Sequence, residues 1–334
     1  MKTESILLQN LCVPCGCRCR YCLLSWDGKT AGVPWEQGAE YALRFRKWLA
    51  EARPELGFQF AFGYSMEHPQ LREALRFLRR IGSPQAEYLQ CDGMKLRDEE
   101  SCRALTEMLA EEGVRQLNFT CYGLSVYHDR FAGRQGDFAL LLRMMRAALE
   151  TGIGVSAGIP LTAENAAQAD ELVALLCAEA GCRAIRLFVP HGEGRGRLLE
   201  PIRLTERDLL QLSPETGALL NRELYRSERE WLTGPGFREE TQRSLLLTLG
   251  PDRLGRREAA DFAAWIAEAE ALDEAYYAAY PTLPELAERY GDPEGGRLFR
   301  QRDLFHYYRR RYAEDFGVSV YDVCDERRTG SRRF

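Results

Sequence analysis

Apolar positions along the first two hundred residues alternate between two patterns. Short, nearly continuous apolar runs at 5–11, 58–62, 86–91, 114–121, 153–159 and 183–190 read as strands. Between them, apolar residues recur at helical spacing over 34–51, 69–81, 97–112, 137–150 and 164–180, with Leu71, Leu75 and Leu78 on one face of the second. Pro34 suits a first helical turn, and Gly113, Gly152 and Gly181 stand where helices stop. Successive βα units predict an α/β fold, a partial (β/α)6 TIM-like barrel with helices outside and its chemistry at the carboxyl ends of the strands. After Arg203 the pattern changes. Residues 205–212, 215–232, 257–280 and 298–316 read as helices, with short strands at 244–249 and 318–323. The expected division is therefore a barrel over 1–203 and a mostly helical C-terminal extension over 204–334.

Composition sets limits on this picture. The chain has 334 residues, is 45% apolar and 28% charged, and so belongs with ordinary globular proteins. No apolar run approaches the roughly 20 residues of a membrane span. The first ten residues lack the apolar core of a signal peptide, so a cytoplasmic location without membrane association is expected. A net charge of −5 argues against broad nucleic-acid binding.

Five of the eleven cysteines fall between positions 12 and 22: Cys12, Cys15, Cys17, Cys19 and Cys22. A disulfide framework spreads its cysteines through a small secreted chain, whereas a dense local cluster points to metal ligation. Cys15, Cys19 and Cys22 have C-x3-C-x2-C spacing. Three thiolates on one loop can hold three irons of a [4Fe–4S] cubane, leaving one iron without a protein ligand; electron-transfer clusters use four. Zinc is the alternative, through the pairs Cys12–Cys15 and Cys19–Cys22, although paired CxxC zinc sites are usually separated by about 15–20 residues. A non-catalytic Fe–S or zinc protein is thus the competing class.

The stretch CGCRCRYC after a first strand resembles the signature of the radical S-adenosylmethionine (radical SAM) superfamily. The resemblance implies a [4Fe–4S] cluster on Cys15, Cys19 and Cys22. It implies SAM chelating the fourth iron through its amino and carboxylate groups, and reductive cleavage to a 5′-deoxyadenosyl radical that abstracts hydrogen from an organic substrate. It also implies a one-electron reductant such as flavodoxin or ferredoxin. Tyr21, just before the last cysteine, joins the expected cofactor site.

Further along, FQFAFGYSMEHPQL resembles the family's Gly-Gly-Glu-Pro motif, which holds the SAM amino group. Anchored on His68 and Pro69, the motif falls on Phe62, Gly63, Tyr64 and Ser65, with an uncharged Tyr64 in place of the acid. Glu67 is the nearby substitute. The resemblance assigns Asn118 or Thr120, and Ser156, to the SAM ribose or carboxylate, and Val189 to adenine. His128 and Asp129 are read as braces of a loop. Arg195 and Arg197, on a glycine-rich loop, are candidates to clamp an anionic substrate group. The extension lacks the cysteine array of SPASM-type relatives, with Cys324 alone in it, so auxiliary clusters are not expected. It is expected to close the barrel and supply substrate contacts, with Arg327, Arg328, Arg332 or Arg333 of the tail near an anionic group. The substrate is a small molecule or a peptide, and a ribosomal-peptide-modifying maturase is the alternative within enzymes.

Overall fold

The computed structural model describes residues 2–11, 15–22, 33–63, 65–192, 194–238 and 242–318. The expectations for Cys12, Tyr64, a strand at 318–323, Cys324 and the terminal arginines lie outside them. Strands and helices alternate in the first half: β1 (Lys2–Leu11), α1 (Trp35–Ala52), β2 (Gly57–Gly63), α2 (Leu71–Arg80), β3 (Tyr88–Gln90), α3 (Glu99–Glu111), β4 (Gln116–Thr120), α4 (Ser125–Ala132), α5 (Asp137–Glu150), β5 (Gly154–Pro160), α6 (Ala169–Ala180) and β6 (Ala184–Phe188). The second half adds α7 (Glu206–Leu209), α8 (Pro214–Gly217), β7 (Arg226–Ser227), α9 (Glu228–Thr233), β8 (Gln242–Thr248), α10 (Ala259–Ala278), α11 (Leu283–Tyr290), β9 (Leu298–Phe299) and α12 (Gln301–Phe316). Among the described residues no helix is long and apolar enough to cross a membrane.

The fold is mixed α/β with two parallel sheets, ordered β2-β1-β8 and β3-β4-β5-β6. The ladder is interrupted between β2 and β3. β3 has only three residues, bounded by the turn Pro84–Ala86 and by Gly93, whose φ of +71° ends extended backbone. The extension is mostly helical, yet it also supplies β8, which pairs in parallel with β1 from Lys2↔Gln242 to Gln9↔Thr248. Leu245 and Leu247 of β8 are buried against Ile6, Leu8 and the aromatic residues of α1 and α10. Each such leucine contributes roughly 1.5–3 kcal/mol of burial. A second, larger core lies along α3, α5, α6 and the β3–β6 sheet.

Two elements differ from the expected pattern. Residues 215–232 do not form one helix: α8 ends at Gly217, and Asn221 Oδ1 then accepts from the backbone N–H groups of Glu223 and Leu224 in a separate turn. Ser227 then starts α9 with a capping box to Glu230. Residues 298–299 are strand β9, antiparallel to β7, and the helix expected there begins at Gln301. Two further helices, α4 and α11, were not anticipated; Gly133 ends α4 at φ +67°.

Candidate functional site

In parallel α/β sheets, ligands bind outside the carboxyl ends of the strands. Here those ends surround a cavity of about 660 Å³, a size ordinary for cofactor sites, which are roughly 300–1,000 Å³. Cys15, Cys19, Cys22 and Tyr21 line it, with Gln90, Asp92 and Gly93 after β3, Thr120 at the end of β4, and Phe188 and His191 at the end of β6. Residues 219–225 and Arg300 complete the wall from the second half of the chain.

Four backbone hydrogen bonds fix the cysteine loop to three elements. The Gly16 N–H donates to Gly93 O (2.7 Å), Arg18 to Ala132 O (2.8 Å) and Arg20 to Phe131 O (2.9 Å), while Cys22 O accepts from the Arg195 N–H (2.9 Å). An irregular loop at a partly buried position needs such partners for its backbone. Arg18 adds side-chain bonds to the carbonyls of Cys15 and Cys17. Gly93 is required sterically, because a Cβ there would sit 2.1 Å from Cys15 Sγ. Tyr21 is buried, accepts from the His191 N–H at 3.1 Å, and packs against Phe188 and His191, so it ties the loop to β6.

Cys15, Cys19 and Cys22 form no disulfide among the described residues. The Cys17 thiol beside it, then burial, pushes the Cys15 thiol far above its ordinary value. Coordinated iron reverses that direction, because a ligating thiol is deprotonated outright. Among the described residues no three Cys, His, Asp or Glu side chains converge as ligands of one metal ion. A cubane asks for something different, one thiolate on each of three irons, and three cysteines outside any disulfide around one cavity fit that demand. Cys17 is buried away from solvent and its thiol donates to Asp137 Oδ2 at 3.6 Å. Asp137 also accepts from Arg134 and pairs with His128 Nε2 at 3.1 Å. Burial would raise the Asp137 carboxyl, but His128 and Arg134 outweigh it and hold it below its ordinary value.

The other expected residues fall as follows. Gly63 closes β2 opposite Leu11. Asn118 and Ser156 are register partners on β4 and β5, and the Ser156 hydroxyl donates to Asn118 Oδ1. Asn118 shares the strand face of Thr120, which lines the cavity, but neither Asn118 nor Ser156 lines it directly. Val189 is buried in the large core, and its neighbour Phe188 is on the cavity wall. Glu67 is engaged by the Lys95 N–H and by Arg97. His128 Nδ1 accepts from the Tyr122 N–H, and Asp129 accepts from the N–H groups of Gly136 and Phe138, so both brace the turn between α4 and α5. Of the two loop arginines, Arg195 lines the cavity and Arg197 does not.

Sequence reasoning missed Asp92, His191, Asn221, Tyr225 and Arg300 on the cavity wall. Asp92 accepts from the Thr120 N–H (3.0 Å), the Thr120 hydroxyl (2.8 Å) and Gln90 (2.6 Å). Burial raises its carboxyl against these bonds. A D-G pair directly after a predicted strand was the available signal for Asp92 and Gly93.

No family model and no curated protein matches the chain. Solved structures with similarity to it include SuiB of Streptococcus suis bound to the precursor peptide SuiA, at 13% identity and TM-score 0.49, covering 74% of this chain and 58% of that one. Another is coproporphyrinogen III oxidase (HemN) of Escherichia coli, described as a radical SAM enzyme, at 16% identity and TM-score 0.42, covering 75% and 63%. A third is the radical SAM methyltransferase TsrM of Kitasatospora setae, with tryptophan and a SAM analogue bound, at 20% identity and TM-score 0.33, covering 56% and 35%. The chain spans less than two thirds of the length of each. These are partial likenesses, and the functional reading below stands on the residues of the cavity.

Proposed function

We propose that this chain is a radical SAM enzyme that holds a [4Fe–4S] cluster on Cys15, Cys19 and Cys22 and abstracts hydrogen from an organic substrate, small molecule or peptide. The observation that carries the reading is the anchored loop: three cysteines at C-x3-C-x2-C spacing, none in a disulfide, line one cavity at the carboxyl ends of parallel strands. The bound cluster and SAM supply one-electron cleavage of the sulfonium and hence a radical that takes hydrogen from the substrate.

The chain's own residues do the rest. The backbone bonds from Gly93, Phe131, Ala132 and Arg195 fix the thiols before any ligand arrives, so ligation costs little reorganisation. Tyr21 locks the loop to the β6 end. Phe188 and Tyr122 provide apolar wall, which excludes water from a reactive carbon radical. Thr120 and Gln90, tied through Asp92, present polar groups from β3 and β4 toward SAM, with the Asn118–Ser156 pair below them on the same sheet face. Gly63 and Tyr64 are assigned to the SAM amino group, and Val189 to adenine through its backbone. A one-electron donor such as flavodoxin or ferredoxin supplies the electron.

The test is anaerobic reconstitution with iron and sulfide. About four irons and four sulfides per chain are expected. Cys15→Ala, Cys19→Ala and Cys22→Ala each abolish the cluster's visible absorbance, whereas Cys17→Ala keeps it. Stoichiometric zinc without iron would overturn the proposal.

A further inference from the structure

One wall of the cavity is made of hydrogen-bond donors without acceptors. Arg186 stands on β6, on the same strand face as Phe188, with Gly158 opposite it in register. A Cβ on Gly158 would lie 3.1 Å from the Phe188 ring and in ordinary contact, 3.6 Å, with Arg186 Nε. Arg186 has neither an ion-pair nor a hydrogen-bond partner among the described residues, whereas Arg18 and Arg300 of the same cavity have hydrogen-bond partners. Arg300 nearby is spoken for, because Asp303 takes it bidentately at 2.7 and 3.0 Å and also accepts from the Gly192 N–H.

Two further donors join Arg186. Asn221 spends its Oδ1 on the N–H groups of its own turn, so its amide Nδ2 is the end left for the cavity. The Tyr225 hydroxyl, on a buried ring near both Arg186 and Arg300, hydrogen-bonds to no described residue. Asp92, the one carboxylate lining the cavity among the described residues, is already satisfied by Thr120 and Gln90. An unpaired guanidinium, an amide N–H and a phenol O–H in one cavity ask for a planar, acceptor-only group.

We propose that Arg186, with Asn221 and Tyr225, forms a carboxylate-binding subsite, and that the substrate carries a carboxylate held there. This deepens the radical SAM reading and rests on it at one point. On that reading the carboxylate of SAM would be taken up on the cysteine side, so an anion at Arg186 would be a second one, brought by the substrate. The guanidinium fork matches a carboxylate bidentately and fixes its orientation as well as its charge. Holding a substrate by a remote group is how a hydrogen atom is presented to a radical in one geometry.

The probe is succinate, titrated by calorimetry into the full-length protein with and without reconstituted cluster. Succinamide, its neutral isostere, and inorganic phosphate are run beside it. Succinate binds and succinamide does not. Arg186→Gln weakens succinate at least tenfold, a loss of about 1.4 kcal/mol. Asn221→Asp keeps the oxygen that holds its own turn, places an acceptor where the donor was, and also weakens succinate at least tenfold. Both side chains are exposed on the cavity wall, so neither change disturbs a core. SAM affinity of the reconstituted protein is the same in wild type and Arg186→Gln. No succinate binding by wild type, or equal binding by Arg186→Gln, overturns the proposal. Tighter binding of phosphate than of succinate makes this a phosphate site and overturns the carboxylate assignment. A fall in SAM affinity parallel to that of succinate puts the carboxylate of SAM on Arg186 and overturns it too. If no cluster forms, the radical SAM reading fails, while the succinate titration of the cluster-free protein still reports on Arg186.

Discussion

The two walls of the cavity are built in opposite ways. The cysteine wall is eight consecutive residues, 15–22, held by backbone hydrogen bonds to Gly93 after β3, to the end of α4 and to Arg195 in the segment after β6. The facing wall is assembled from separate pieces: Arg186 on β6, the turn at Asn221, Tyr225, and Arg300 in front of α12. On the proposed function, the first wall carries a spacing pattern because one loop would deliver three ligands to one cluster. The second carries none, because its parts meet only through tertiary structure. Chemistry common to many substrates can be encoded locally, while the groups that choose among substrates come from wherever the chain returns to the cavity.

The largest effect that sharpens this contrast is expected at Gly93. With φ at +71° and Cys15 Sγ where a side chain would start, Gly93→Val displaces the loop. Most of the iron bound after reconstitution is lost, and stability falls by about 1–3 kcal/mol. Iron analysis and urea unfolding check both. Wild-type iron content in the variant would mean the cysteine loop is not anchored as described.

A smaller effect, confined to the facing wall, is expected at Asp303. Burial works to raise its carboxyl, and the Arg300 guanidinium outweighs burial and holds it well below the usual carboxylate range. A depressed folded pKa gives stability that is full above the unfolded value of about 3.9 and is lost as pH falls through the folded one. Asp303→Asn therefore destabilises by about 1–3 kcal/mol at neutral pH and flattens the acid limb of the stability profile. It leaves iron loading intact, because its partners Arg300 and Gly192 lie outside the cysteine loop. Urea midpoints between pH 3 and 7 decide; an unchanged acid limb contradicts the assignment.

The smallest is Tyr21→Phe, which removes one neutral hydrogen bond between the two walls, from the His191 N–H. About 0.5–1.5 kcal/mol is expected, with the cluster still formed. Loss of the cluster in this variant would mean that the Tyr21 hydroxyl holds the cysteine loop itself rather than only tying it to the β6 end.

Much of the fold was legible because period carries it. The strands β1 to β6 and the helices α1, α2, α3, α5 and α6 fall where apolar spacing puts them. The pairing of β8 with β1 was not legible, since the run Ser244–Leu249 announces a strand but not a partner more than two hundred residues away. The break of 215–232 had a local signal in Ser227 and Glu230, the S-x-x-E of a capping box, which the helical apolar spacing around it overrode. In the site, the cysteines were visible from their spacing and Tyr21 from the family resemblance. Asn221, Tyr225 and Arg300 were not, because an asparagine, a tyrosine and one arginine among 41 carry no pattern until the fold brings them to one cavity.

The central claim, that this cavity houses radical SAM chemistry, is tested most directly by one assay. The reconstituted protein is reduced anaerobically with dithionite in the presence of SAM, and 5′-deoxyadenosine is quantified beside the Cys19→Ala variant. The account predicts 5′-deoxyadenosine from the wild type and none above background from the variant. A full complement of iron and sulfide with no 5′-deoxyadenosine formed would contradict it.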